Sequence, residues 1–129
     1  MSINILVLTN DGSWRARVVE TRLPPGVHVA FGRGVNTLKE SIAREADLFL
    51  IDAELLPPPE SKDLNRIHRA VGVRPMIAVY TPGTEPTLPA VRSSFKAGAV
   101  DLVEKPYTPG EFKRLFSSSE VAPLLHPVG

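Results

Sequence analysis

Two short segments, far apart in the chain, carry the groups best suited to chemistry. The first, Ala46–Asp52, is an apolar run that ends on the carboxylate of Asp52, and the second, Lys96–Pro106, ends on Lys105 and Pro106. Apolar runs of this length are typical of buried strands. In an open parallel sheet, ligands bind beyond the carboxyl ends of the strands. An acid after one such strand and a lysine after another therefore indicate a phosphate-handling pocket.

Two further polar residues follow apolar runs and are expected at the same edge. Asp11 comes after the first run and Thr81 after the fourth. Each has a plainer interpretation, since Asp11 is a favoured residue for capping a helix and Thr81 precedes Pro82 in a turn-like segment. Taken alone, Lys105 is compatible with a solvated loop and Asp52 with a turn or a helix cap. The convergence of four polar groups on one edge favours the pocket.

The elements that would position these groups alternate along the sequence. Apolar runs predict five strands, Ile5–Leu8, Val27–Phe31, Leu48–Ile51, Met76–Tyr80 and Val100–Val103. Stretches with apolar residues at helical spacing predict four helices between them, Ser13–Leu23, Val35–Glu45, Ser61–Val71 and Leu88–Ala97. Such alternation predicts a parallel sheet covered by helices on both faces.

A last helix has its own start signal. Thr108, Pro109 and Glu111 supply a capping hydroxyl, a proline at the first helical position and an acid three residues after the cap. We expect that helix over Pro109–Ser118. We therefore predict one domain over residues 1–118, followed by a tail or linker over residues 119–129.

Composition narrows the class of protein. A chain of 129 residues has the length of a single domain. Its 15 basic and 14 acidic residues leave a net charge of +1, which gives no electrostatic reason to expect nucleic acid or membrane contact. The absence of cysteine excludes disulfides and thiolate metal sites and fits a reducing cytoplasm. The first apolar run is too short for a signal or membrane helix, so we expect a cytoplasmic protein.

Over nearly its whole length, the chain resembles the receiver domain of bacterial two-component response regulators, the CheY-like superfamily. Asp52 matches the phosphoacceptor aspartate of that family, and Lys105 with Pro106 matches its Lys-Pro pair. Gly98-Ala99 matches the Ala-Gly-Ala stretch that precedes the pair. The resemblance implies a doubly wound α/β fold whose five-stranded parallel sheet has the flavodoxin-like order 2-1-3-4-5.

The resemblance also implies a function. Receiver domains are signalling domains that take a phosphoryl group from a histidine kinase, here onto Asp52 with the help of Lys105 and Thr81. They then contact partner proteins, or a second copy of themselves, through the last helix-strand-helix face. Turnover on a diffusible substrate is not expected, because no nucleophile-base pair stands out in the sequence.

The chain departs from the family in the residues that should hold magnesium. The acidic pair falls on Thr9 and Asn10, which are neutral, and Asp11 comes one position late. Magnesium prefers carboxylate oxygens, so with only Asp11 and Asp52 left we expect a weak or absent Mg²⁺ site. Lys105 is then free to pair directly with Asp52.

Other departures lie around the pocket. Tyr80 falls on the Thr/Ser position and Leu102 on the aromatic switch position, while the loop after Asp52 contains the prolines 57–59. Two versions of the function follow: a receiver phosphorylated on Asp52, or a pseudo-receiver that signals by protein contact without phosphorylation. A small-molecule or nucleotide-binding flavodoxin-like module is the alternative from another class.

Overall fold

A computed structural model describes residues 2–118 and residue 122 of the chain. Five parallel strands form one sheet in the order β2-β1-β3-β4-β5. The predicted fold class and strand order are therefore confirmed. The strands are β1 (Ile3–Leu8), β2 (Val27–Gly32), β3 (Leu48–Asp52), β4 (Met76–Tyr80) and β5 (Asp101–Glu104). The predicted tail over residues 119–129 lies outside the described residues, apart from residue 122, and stays a prediction.

Helices connect the strands. They are α1 (Gly12–Glu20), α2 (Ser41–Arg44), α3 (Asp63–Val71), α4 (Leu88–Lys96) and α5 (Pro109–Phe116). Short 3₁₀ segments cover Val35–Lys39 and Ala53–Leu55. Within the described part of the chain, none of the helices has the length and apolar character needed to cross a bilayer.

The second predicted helix is the one clear difference from the sequence prediction. Instead of a continuous helix over Val35–Glu45, the chain forms the 3₁₀ segment, an extended residue at Glu40 and then the four-residue α2. Val35, Asn36 and Thr37 are poor helix formers, which disfavours an α-helix at this start. The segment also lies close against β2, because a Cβ on Gly32 would overlap the side chain of Thr37.

The core has two parts, one on each face of the sheet. Alternate residues of the central strands point to opposite faces, and every residue of β3 is buried. On one face Leu64, Ile67 and Val71 of α3 pack on the sheet. On the other face Trp14 and Val18 of α1 join Phe112 and Leu115 of α5. This double coverage holds the strand ends rigidly at one edge.

Candidate functional site

The carboxyl ends of four strands carry the polar residues that the sequence singled out. β1 leads into Thr9 and Asp11, β3 ends on Asp52, β4 leads into Thr81 and β5 leads into Lys105. Strand register keeps these ends level, since Leu8 pairs with Ile51, Asp52 with Val79 and Tyr80 with Glu104. The four predicted site residues, Asp11, Asp52, Thr81 and Lys105, are all brought together at this edge.

The ammonium group of Lys105 lies at the centre of the site. Its Nζ atom is 3.0 Å from Oδ2 of Asp52 and 2.9 Å from Oδ2 of Asp11. It also donates a hydrogen bond of 3.0 Å to Oγ1 of Thr81. An ammonium has three N–H donors, so these three oxygens use all of them. The side chain of Lys105 is 1 % exposed, and its ammonium pairs with the carboxylates of Asp11 and Asp52.

Both carboxylate oxygens of Asp52 already have donors. Oδ2 accepts a 2.9 Å hydrogen bond from the hydroxyl of Thr9 in addition to the Lys105 contact, and Oδ1 accepts 3.2 Å from the amide of Glu54. The side chain of Asp52 is only 3 % exposed. Among the described residues, no buried side-chain nitrogen or oxygen lacks a hydrogen-bond partner. The site is a closed and fully satisfied polar network.

Thr9 is the member of this network that sequence reasoning missed. It was treated only as the loss of an acid, whereas its hydroxyl donates to Asp52 and accepts a 2.9 Å hydrogen bond from the amide of Asp11. A threonine directly after a buried strand, beside a pocket carboxylate, is the signal that could have suggested this role. The neutral hydroxyl satisfies Asp52 without adding charge.

Asp11 serves two neighbours at once. Its Oδ1 accepts a 3.1 Å hydrogen bond from the amide of Trp14 and caps α1, while its Oδ2 contacts Lys105. The hydrogen bond with Lys105, followed by that from Trp14, lowers the pKa of Asp11 below its ordinary value. Burial alone would lower the pKa of Lys105, but its hydrogen bonds to Asp11 and Asp52 outweigh burial and raise that pKa. Asp11 and Lys105 are thus held in their charged forms at neutral pH.

Trp14 ties α1 to the Lys-Pro segment. Its indole Nε1 donates a 2.9 Å hydrogen bond to the carbonyl of Pro106, and the Nζ atom of Lys105 lies 5.5 Å from the ring centroid. The indole is completely buried. Trp14 therefore forms one wall of the pocket beside Lys105.

The residues present do not fit a resident magnesium ion. Magnesium requires several oxygen ligands in a near-octahedral arrangement. Here Asp11 and Asp52 each use one carboxylate oxygen to contact the Lys105 ammonium. The two positions that the sequence resemblance aligns with the acidic pair of receivers hold Thr9 and Asn10. No cluster of three or more metal-binding side chains occurs within the described ranges. In this pocket a lysine lies between the two carboxylates.

The proline loop after Asp52 is fastened to α4. Ser93 donates its hydroxyl to the carbonyl of Pro57 at 2.7 Å, and Lys96 donates to the carbonyl of Pro59 at 2.9 Å. The prolines restrict the backbone further. The loop is therefore held against α4.

Comparison with known proteins places this architecture. No protein-family model and no curated protein sequence matches the chain. Solved structures match it well. A response regulator from Thermotoga maritima has a TM-score of 0.64 at 20% identity, with 92% of this chain and 100% of that chain covered. The signal receiver domain of an HD domain-containing protein from Pseudomonas fluorescens Pf-5 has a TM-score of 0.68 at 20% identity, with 88% and 90% covered.

A response regulator from Burkholderia multivorans has a TM-score of 0.64 at 24% identity, with 100% of this chain and 99% of that chain covered. This chain has the receiver-domain fold. The expected resemblance is thus confirmed at the level of the fold. Leu102, which the sequence resemblance aligns with the aromatic switch position, is half-buried and packs against the core cluster around α3.

Proposed function

We propose that the chain is a receiver-like signalling domain that acts through protein contact, with Asp52 held in a closed pocket that Lys105 neutralises. The observation that carries this proposal is that the side chain of Asp52 is buried and that both of its oxygens already have donors. Its two oxygens accept from Lys105, Thr9 and the Glu54 amide, and its side chain is 3 % exposed.

The chemistry of phosphoryl transfer explains why this observation matters. The attacking carboxylate must reach the phosphorus in line with the leaving group, and cations must offset the repulsion between anions. Asp52 lacks that access in the closed pocket, and among the described residues Lys105 is the one cation in contact with it. A phosphodonor would have to displace Thr9 and reorganise the Lys105 contacts first. We therefore favour the pseudo-receiver version over rapid phosphorylation of Asp52.

The proposed contact surface is the face made by α4, β5 and α5. On α4 the inward residues are the buried serines 93 and 94, whereas Leu88 is 61% exposed and Phe95 is 49% exposed. A groove of about 610 Å³ runs along β5 and α5, with Val103, Tyr107 and Arg114 in its lining. Exposed apolar side chains with a polar rim are typical of contact surfaces. A histidine kinase, another signalling protein or a second copy of the chain is the proposed class of partner.

Intact mass after incubation with acetyl phosphate and magnesium tests the proposal. We expect little or no phosphoryl adduct on the wild-type chain, because Asp52 is neither exposed nor supported by a metal. The Asp52→Asn variant is the matched control for labelling elsewhere. Rapid, near-complete labelling that disappears in this variant would mean that Asp52 is a working phosphoacceptor, and the pseudo-receiver version would fail.

A further inference from the structure

A second cavity adjoins the closed pocket on the side of α1. Its volume is about 310 Å³, and its lining is formed by Thr9, Asn10, Asp11, Gly12, Arg15 and Arg33. This volume is at the lower end of the range for small-molecule sites. Its floor includes the two positions where the receiver pattern would place acids.

Two arginines from different elements converge on this cavity. Arg15 belongs to α1, and Arg33 follows the end of β2. Neither forms an ion pair with a carboxylate of residues 2–118. The guanidinium carbon of Arg15 lies 5.0 Å from the centroid of the Phe31 ring, a cation–π contact that orients the side chain. Asn10 adds an exposed amide to the same lining.

The charge balance of the cavity favours an anion. Asp11 is the one acid in its lining, and that carboxylate is already bound to Lys105 at 2.9 Å and to the Trp14 amide at 3.1 Å. By formal charge, the two carboxylates and the ammonium of Lys105 sum to one negative charge. The two arginines outweigh it, and their planar donor groups suit tetrahedral oxyanions such as phosphate.

We propose that this cavity binds a phosphate group, either as free phosphate or as the phosphomonoester of a small molecule, without a divalent cation. Arg15 and Arg33 would hold the oxygen atoms, and Asn10 would donate from its amide. The inference goes beyond the signalling function, because it involves no covalent step and holds whether or not Asp52 accepts a phosphoryl group. The phosphate group would lie on the side of the pocket where Thr9 and Asn10 stand in place of two acids.

Titration of the full chain with inorganic phosphate in the presence of a metal chelator tests this inference. We expect saturable changes in the backbone amide resonances of Asn10, Gly12 and Arg33. Arg15→Gln and Arg33→Gln should each weaken binding about tenfold, the scale of one lost charge-assisted hydrogen bond. Arg69→Gln is the matched control, since it removes the same charge from an exposed arginine of α3 outside the cavity. It should bind phosphate like the wild type.

A second titration, with glycerol phosphate, distinguishes the two sources of the phosphate group, and glycerol itself is the neutral control. Tighter binding of glycerol phosphate than of phosphate would identify a small phosphomonoester as the ligand class, and equal or weaker binding would identify free phosphate. The inference is overturned if neither ligand gives saturable changes up to roughly 10 mM, well above a millimolar dissociation constant. It is also overturned if Arg69→Gln weakens binding as much as Arg15→Gln, or if binding requires magnesium. Acetyl phosphate labelling of Asp52 would refute the pseudo-receiver proposal and leave this inference intact.

Discussion

The contacts of a few single residues explain why the pocket around Asp52 is closed. Lys105 pairs with Asp52 almost fully shielded from water and with Asp11, whose side chain is 27% exposed. Removing one partner of a buried charge network leaves the other charges uncompensated, which costs far more than the network contributes net. Thr9 and Thr81 complete the network with neutral oxygens.

The Lys105→Met variant should therefore be strongly destabilised. We expect the free energy of unfolding in urea to fall by about 3–5 kcal/mol, the usual cost of a broken buried pair. Lys39→Met, an exposed lysine of the 3₁₀ segment, is the control and should change little. A loss for Lys105→Met no larger than that of the control would mean that water reaches Asp11 and Asp52 freely.

The pKa of Asp11 predicts a dependence of stability on pH. Because its hydrogen bonds from Lys105 and Trp14 lower the folded-state pKa, ionised Asp11 stabilises the fold above its unfolded pKa. That contribution is lost as the pH falls through the folded pKa. The melting temperature of wild type should thus exceed that of Asp11→Asn at neutral pH, and the two should converge in acid. A gap that persists unchanged well below pH 3.8, the ordinary value for this carboxyl group, would contradict the assignment.

At the residue scale the sequence predicts which polar groups meet, and it does not predict how they bond. Strand ends alone bring Asp11, Asp52, Thr81 and Lys105 to one edge, since parallel strands share their carboxyl edge. The hydroxyl contact of Thr9 depends on a distance of a few ångströms between the ends of β1 and β3. Neither pattern nor spacing carries that information.

Elements differ in how strongly their local sequence specifies them. The start of α5 was predicted from its cap, and Thr108 Oγ1 does accept from the Glu111 amide at 3.2 Å. The Glu111 carboxylate reaches the amide of Tyr107 at 2.9 Å, one residue before the cap. The helix predicted over Val35–Glu45 is too long, because the apolar spacing that predicts it does not reflect the weak helix propensity of Val35 and Thr37. Packing against β2 determines the conformation of the 3₁₀ segment at its start.

Thr108→Ala should weaken α5 by removing its cap. We expect the free energy of unfolding to drop by about 1 kcal/mol, the usual loss on replacing a capping threonine by alanine. Thr84→Ala, in the exposed loop before α4, is the matched control. An equal effect of the two substitutions in chemical denaturation would show that the cap contributes nothing measurable.

At the scale of the whole molecule, the pocket and the proposed contact face share the strand β5, which leads into Lys105 and lies between α4 and α5 in the chain. The sheet order could be predicted from alternation of elements and from the resemblance, and the structure confirms it. Leu102, which the sequence resemblance aligns with the aromatic switch position of receivers, packs against the core. Coupling of the pocket to the contact face through that residue is therefore not expected.

Beryllofluoride, which mimics a phosphoryl group on aspartate, tests this uncoupled behaviour. We expect the amide resonances of α4, β5 and α5 to stay nearly unchanged when it is added. The reason is that the Asp52 side chain is buried and that Leu102 has no aromatic ring to reorient. The Thr81→Ala variant should be measured in parallel, because it removes one hydrogen-bond acceptor of the Lys105 ammonium without adding charge. Large shifts across the three elements in the wild type would show that the switch operates by another route.

The central claim is that the ammonium of Lys105, and not a divalent cation, neutralises Asp52. A magnesium titration followed by the amide resonances of Asn10, Asp52 and Ala53 tests it most directly, with the Thr9→Asp, Asn10→Asp double variant measured in parallel. Even the loss of an outer-shell partner of a metal ligand typically costs about 10- to 100-fold in metal affinity, so restoring two acids should produce saturable binding that the wild type lacks. We predict no saturable shifts in the wild type and clear saturation in the double variant. Saturable wild-type binding at submillimolar magnesium would contradict the claim.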